Sequence, residues 1–391
     1  MNYKCWRDSH CPLSTFHLPL KTAAIVLLLF FSCHSPQKNS ETGFETYYQP
    51  SHANGFYLEK KGDNKLLHIF NPWQGAENME LLYHLRPRER FHDSLPVNYI
   101  PVPVRRAVCL STSHIAFIDC IGQAHTIAGV SGAGYITNPA ILERLARGEV
   151  RDVGYETLLS CETIAVLQPD VVFAYGVNDE MAAVTGKLNG MGIRVVYLAD
   201  YLEETVLGKA EYMVAVAAFY GLEDAAIDRF SDVAANYETI AGKARAAATQ
   251  PKVIMNAPWR DTWYMPGADN YMNKLISDAG AQITGLRSGR NSTPLSLENA
   301  YIYAMQADYW LHPNAYRTLH ELETADSRFA RTPAFTSKKI YNNTRRLTPG
   351  GGSDFWESGA VHPDVVLKDL VRIFHPNIFP EHELVYYEQL Q

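Results

Sequence analysis

The chain has 391 residues, more than one ordinary core accommodates, so two lobes or domains are expected. It is 47% hydrophobic and 20% charged, the balance of a globular protein. A net charge of −7 and a pI near 6.1 advertise no basic face, which argues against a nucleic-acid partner.

Lys4, Arg7 and Lys21 precede the apolar run "TAAIVLLLFFS", and Cys33 follows at once. Such a run is too short to span a bilayer and suits the apolar region of a signal peptide. A cysteine directly after it resembles a bacterial lipoprotein signal, in which the leader is removed and the cysteine acylated. Phe30 stands three places before Cys33, where such signals usually carry leucine, and Leu29 is one earlier. An ordinary secretory signal cleaved nearby is the other reading. Residues 1–33 are assigned as a lipoprotein signal peptide ending at lipidated Cys33, and "HSPQKNSETG", 34–43, as a flexible tether. Beyond the signal and Cys33, Cys109, Cys120 and Cys161 all sit in apolar contexts with no CxxC pattern. They read as small core residues, with no disulfide framework or structural zinc.

Residues 44–104 alternate short apolar pieces with turn signals. In "GFYLEKKGDNKLLHIFNPW" the Lys-Gly-Asp-Asn turn separates two strand-like runs, and the whole stretch reads as a β-rich N-terminal extension. From 105 the pattern becomes βαβ alternation. "RRAVCL", "TIAGVSG", "VVFAYG" and "IRVVYLA" read as buried strands, "STSHIAFIDCIG", "NPAILERLARGEV" and "MAAVTGKLNGMG" as helices. With a further helix ending at Gly221, this is an N-terminal α/β lobe, 105–221. "LEDAAIDRFSDVAANYETIAGKARAAAT" then holds no proline. It predicts a linking helix over 222–250, a rod of roughly 40 Å that spaces the lobes. A C-terminal α/β lobe, 251–391, starts at "PKVIMNAP". The fold class is α/β, with two Rossmann-like lobes joined by one long helix.

A rough internal repeat crosses the linker. "LLSCETIAVLQPDVVFAYG" at 158–176 and "PLSLENAYIYAMQADYWLHPN" at 294–314 share Leu-Ser-x-Glu, an apolar helical run, Gln-x-Asp and a hydrophobic strand. Ser160 and Ser296 fit as N-caps, so Glu162 and Glu298 each fall in a helix's first turn, where the helix dipole alone favours an acid.

These features together resemble the helix-hinged solute-binding proteins of ABC importers, which serve iron–siderophores, haem and cobalamin. The resemblance covers about 100–391 and rests on "VGYETLLSCETIAVLQPDVVFAYG", "PGADNYMNKLISDAGA" and "PLSLENAYIYAMQAD". Gln306-Ala307-Asp308 departs from the usual x-Pro-Asp, and the 44–104 extension is added. "NPWQG" and "GGGSDFWESGAVHPDVVLKDLVRIFHP" further resemble a subgroup of such lipoproteins in Bacteroidetes-like bacteria. The resemblance implies a periplasmic, lipid-anchored monomer that works with an ABC permease dimer and its ATPase subunits. It also gives the paired glutamates a role: each would dock onto arginines of one permease subunit. A carboxylate–guanidinium pair is bidentate and orientation-specific, and rim charges steer association.

In an open α/β sheet, ligands bind beyond the carboxyl ends of the strands. That rule selects Ser111, Thr112, Ser113 and His114, then Ser131, Tyr135, Tyr155 and Tyr175 in the first lobe. In the second it selects Trp259, Arg260, Trp263 and Tyr264 of "WRDTWY", then Asn314, Tyr316, Arg345 and Trp356. Aromatics with scattered cations suit a large, partly apolar, anionic metal chelate, with ferric siderophore or haem first and cobalamin next. No cofactor beyond that ligand is implied. His114 also reads as a candidate axial ligand to haem iron or cobalt. A bare-metal site built from His114, His312, Asp354 and Glu357 is the rival ligand class. The chain is read as no enzyme: "GVSGAG" is neither a GxSxG elbow nor GxGxxG, "TPGGGSDFW" lacks a following lysine, and HExxH is absent. A secreted hydrolase with a cleft between the lobes is the alternative.

Overall fold

The computed structural model describes residues 43–176, 179–260 and 262–391. The predicted signal peptide, Cys33 and nearly all of the tether lie outside the described residues. The Lys-Gly-Asp-Asn turn folds the extension as its pattern predicts. β1 (Glu45–Tyr48), β2 (Phe56–Lys61), β3 (Asn64–Phe70), β4 (Glu80–Pro87) and β5 (Tyr99–Val102) form one sheet in that order. Lys61 stands opposite Asn64 across the turn, and the last pair, β4 with β5, is parallel.

The first lobe holds β6 (Ala107–Cys109), α1 (Thr112–Cys120), β7 (Ile127–Val130), α2 (Pro139–Ala146), β8 (Arg151–Asp152), α3 (Cys161–Leu167), β9 (Val171–Ala174), α4 (Asp179–Gly190) and β10 (Val195–Tyr197). Its sheet runs β10-β9-β6-β7-β8 and is wholly parallel. "AVC", "IAGV" and "VVFA" are buried along their whole length, as strands covered by helices on both faces must be. α5 (Val206–Ala217) follows, and the chain turns at Gly221, where φ is +71°.

The linking helix, α6, runs Glu223–Arg245, 23 residues or about 35 Å. Its buried positions Ala226, Phe230, Val233, Tyr237, Ile240 and Ala244 recur every three or four residues, one stripe along a helix. It therefore packs by a full face and is not a free-standing spacer. The second lobe holds β11 (Lys252–Met255), β12 (Trp263–Met265), α7 (Tyr271–Asp278), β13 (Gln282–Ile283), β14 (Thr293–Leu295), α8 (Leu297–Ala304), β15 (Tyr309–Leu311), α9 (Leu319–Ala325), α10 (Pro333–Thr336), β16 (Ile340–Asn342), α11 (Pro363–Phe374) and β17 (Glu388–Gln389). The sheet order is β13-β11-β15-β16-β17, with only the β16–β17 pair antiparallel, while β12 and β14 make a separate ribbon.

One hydrophobic cluster runs through the extension (Phe56, Leu67), the first lobe (Phe117, Phe173), α5 and α6 (Met213, Tyr237) and the second lobe (Trp310, Leu370). The rod picture needs correcting on this point: the lobes are not held apart but share a core. The extension is tied in by polar contacts too. Glu211 of α5, fully buried, accepts hydrogen bonds from the backbone N–H groups of Ser51, His52 and Ala53 at 2.7–2.8 Å and from the Tyr48 hydroxyl at 2.7 Å.

Candidate ligand-binding cleft

The strand order of each lobe reverses beside its first strand, between β6 and β9 in one and between β11 and β15 in the other. Side-chain-bearing loops leave the carboxyl ends of those strands, and a crevice opens there. In the first lobe the loop after β6 starts α1. Ser111 caps it, accepting from the Ser113 N–H at 3.3 Å. A cavity of about 180 Å³ lies between the lobes here, lined by Ser111, Ser113, Asp200 and Lys209 on one side and by Tyr271, Leu275 and Trp356 on the other.

Lys209 reaches into this cavity from α5 with its Nζ 4.6 Å from the centre of the Tyr271 ring. Among the described residues it has no carboxylate in ion-pair reach. Burial lowers its pKa, opposed by the charges of Asp200 and Glu203. Burial raises the pKa of Asp200, opposed by Lys209 and by a hydrogen bond from Ser113.

A second cavity, about 500 Å³, covers the second lobe's strand ends, with Asn256, His312, Asn314, Asn343 and Trp356 in its lining. Asn256, Arg260, His312 and Asn314 all have φ between +51° and +66°, a left-handed backbone that side chains rarely adopt. Three of them, Asn256, His312 and Asn314, line this cavity, a mark of a functional loop held by its surroundings. The Asn256 amide donates to the Tyr264 carbonyl at 2.6 Å, and the Asn314 amide donates to Ala257 O at 2.9 Å. His312 is within 2.8 Å of the Tyr387 hydroxyl.

Most of the aromatic residues selected by sequence are accessible to solvent, and Trp356 lines both cavities. Tyr135 and Tyr155 are exposed and tilt against each other with ring centres 5.0 Å apart. Tyr175 is half-buried, edge-on to Tyr201 at 6.4 Å. Trp259 is 59% exposed, with the Arg260 guanidinium 4.4 Å from its ring centre. Tyr264 and Trp356 are exposed, as is Arg345. Ser113 lines the inner cavity.

Two selected residues do not reach the cleft. Trp263 is fully buried, wedged against Trp310 at 5.4 Å and Phe329 at 5.3 Å, and its indole N–H donates to Met255 O at 2.7 Å. His114 is fully buried on α1, its Nδ1 3.2 Å from Phe173 O, and burial pushes its pKa down to about 3. Neither presents an atom to a ligand. His312 likewise spends its Nε2 on Tyr387, while Asp354 and Glu357 bond to the first lobe. Among the described residues no three His, Cys, Asp or Glu side chains stand close enough to hold a metal ion.

Lys209, Asp200 and an inter-lobe clasp were not singled out as ligand-cleft features by sequence. In the clasp, the glycine-rich loop around "TPGGGSDFWE" crosses from the second lobe. The Thr348 hydroxyl donates to Gly134 O at 2.6 Å, and Glu357 accepts from the N–H groups of Thr137 and Asn138. Gly352 lies so close to Tyr135 that a Cβ there would run into the Tyr135 carbonyl. Glu162 and Glu298 stand outside the cleft. Each is exposed in the first turn of its helix, α3 or α8, and each helix is capped by a serine hydroxyl two residues earlier. Lys187 pairs with Glu162 at 2.8 Å and holds its carboxyl below the usual range. Crossover helices run back against parallel strands, so both helix starts lie at the cleft end of their lobes.

Two doubly wound lobes, a helix between them and a crevice at their switch points are the architecture of a solute-binding protein of the ABC-importer type. The chain belongs to the periplasmic binding protein family, whose family model matches residues 108–348. It is 27% identical over 303 residues to an uncharacterized lipoprotein of Methanocaldococcus jannaschii, covering 75% of this chain and 70% of that one. Its fold is similar to a periplasmic heme binding protein from Pseudomonas aeruginosa (TM-score 0.56, 18% identity, 74% of this chain and 98% of that one). The molybdate periplasmic binding protein MolA of Haemophilus influenzae is similar too (TM-score 0.54, 16% identity, 73% of this chain and 90% of that one).

Proposed function

We propose that this chain captures a metal chelate (a ferric siderophore, haem or a corrinoid) between its lobes and delivers it to an ABC permease dimer. The observation that supports this reading is the set of exposed rings, Tyr135 and Tyr155 of one lobe and Trp259, Tyr264 and Trp356 of the other, with Trp356 lining both cavities between and beside the strand ends. Large exposed aromatics are costly to leave in water and suit a flat or partly apolar ligand. Glu162 and Glu298 are the docking anions, one per lobe and one per permease subunit. Acylated Cys33 anchors the protein to a membrane, with the protein working in the periplasm or an equivalent extracytoplasmic space; the relative in Methanocaldococcus jannaschii is itself named a lipoprotein. The protein acts as a monomer. Purification from its own host, followed by absorption spectra and bound-metal analysis, tests the ligand class. A protein carrying no metal and no chromophore under metal-replete growth would overturn it.

A further inference from the structure

The 44–104 extension reaches the ligand crevice. Its loop "NPWQG" runs to the end of β9, where Trp73 pairs with Gly176 as a parallel bridge. The Gln74 N–H is 3.2 Å from both Gly176 O and the Tyr201 hydroxyl, and the Trp73 ring tilts on Tyr197 at 5.3 Å. Gly176 makes the approach possible: a Cβ there would lie 2.5 Å from the Trp73 Cβ. The loop thereby walls a third cavity, about 1040 Å³, whose other walls are Tyr201 and Glu204 of the first lobe and Tyr264 and Arg290 of the second. Tyr201 and Tyr271 line both this cavity and the inner one, so the two adjoin.

Beside its aromatic rings, the polar lining of this end is made largely of carboxyls and amides. Its carboxyls are Glu77, Glu203, Glu204 and Asp269, its one guanidinium is Arg290, and that group is already paired with Glu204. The side-chain amides of Asn54, Gln74 and Asn291 also line it and make no hydrogen bond among the described residues. An anion brought against Glu77 and Asp269, which have no cation in ion-pair reach among the described residues, is repelled, while free amides are donors and acceptors without a partner.

We propose that the "NPWQG" loop is a third wall of the ligand cleft and sets specificity, admitting a ligand arm that is uncharged or cationic and rich in hydrogen-bonding groups, and rejecting an anionic one. This rests on the chelate-binding reading above. It narrows that reading from metal chelates in general to those with a neutral or cationic arm, such as hydroxamates and amide-bearing corrinoids.

The test uses the full chain and the double variant Gln74→Ala, Glu77→Lys, both positions being exposed loop sites whose change leaves the fold intact. Quenching of tryptophan fluorescence is titrated with four probes: cationic ferrioxamine B, neutral cyanocobalamin, anionic ferric enterobactin and haem. The expected result is binding of ferrioxamine B or cyanocobalamin, weakened about tenfold in the variant, with the anionic probes weaker in the parent. Equal affinity of parent and variant for a bound probe would overturn the wall while leaving chelate capture standing. Tightest binding of enterobactin or haem would overturn the charge class. Failure of all four probes to bind would overturn the chelate reading and the wall with it.

Discussion

Glu357 grips Thr137 from the opposite lobe by two bonds, accepting from its backbone N–H at 2.6 Å and from its hydroxyl at 2.7 Å. The same carboxylate accepts from the Asn138 N–H at 3.0 Å, at the start of α2, where the helix dipole favours an anion. Asp354 accepts from the same Thr137 hydroxyl at 2.9 Å and is itself paired with Arg346 at 2.9 Å. Replacing Glu357 by alanine strips half-buried backbone donors of their acceptor. It is expected to cost about 1–3 kcal/mol in urea unfolding and to raise the radius of gyration in small-angle scattering as the lobes part. An unchanged radius would show that the shared core alone sets the closure.

Docking and capture use different residues, so they separate by mutation. Glu162→Ala with Glu298→Ala is expected to abolish uptake in cells and to leave ligand affinity within about twofold of the parent, since exposed surface changes leave the fold alone. Transport assays beside equilibrium titration measure this. Loss of affinity in that variant would contradict the assignment.

Two tryptophans four residues apart have opposite expected phenotypes. Trp263→Ala empties a packed site and is expected to destabilise the protein by about 3–5 kcal/mol. Trp259→Ala is expected to leave the melting temperature within about 2 °C and to weaken chelate binding. Thermal melts and fluorescence titrations of both variants check the contrast.

Glu203 accepts from the Asn54 and Gly55 N–H groups at 2.9–3.0 Å. Burial pushes its carboxyl up to about 7, with the charges of Glu211 and Asp200 adding to the shift. The folded state therefore keeps the proton after the unfolded chain has released it. The contribution to stability is full below the ordinary carboxyl range and is lost as pH rises through that range to about 7. Glu203→Gln is expected to remove this decline. The difference between the melting curves of parent and variant, measured from pH 4 to 8, should grow across that window; a constant difference would show that Glu203 titrates normally.

Much of the architecture was legible because its signals are local. Buried strands such as "VVFA", serine caps before Glu162 and Glu298, and the proline-free run of α6 each declare themselves within one element. The repeat was legible for the same reason: both copies carry the same cap and first-turn acid on α3 and α8. The site was less so. β12 has three residues, inward Trp263, outward Tyr264 and inward Met265, too short for alternation to reveal which aromatic faces the ligand. His114 sits on a helix buried on nearly every side, where periodicity gives no outer face. The clasp joins residues over 200 positions apart, and nothing local marks Thr137 as the partner of Glu357. "NPWQG" was noticeable as a motif, but its place beside β9 is decided by the packing of a separate sheet.

The anchoring of Glu211 has a bearing on where this molecule can be cut. A chain begun at residue 105, at the edge of the recognisable family fold, would leave that carboxylate deep in α5 with none of its amide donors and would bare the apolar flank of the helix. The added sheet is thus no detachable ornament, and a shortened version offered as the minimal binder would be a damaged protein.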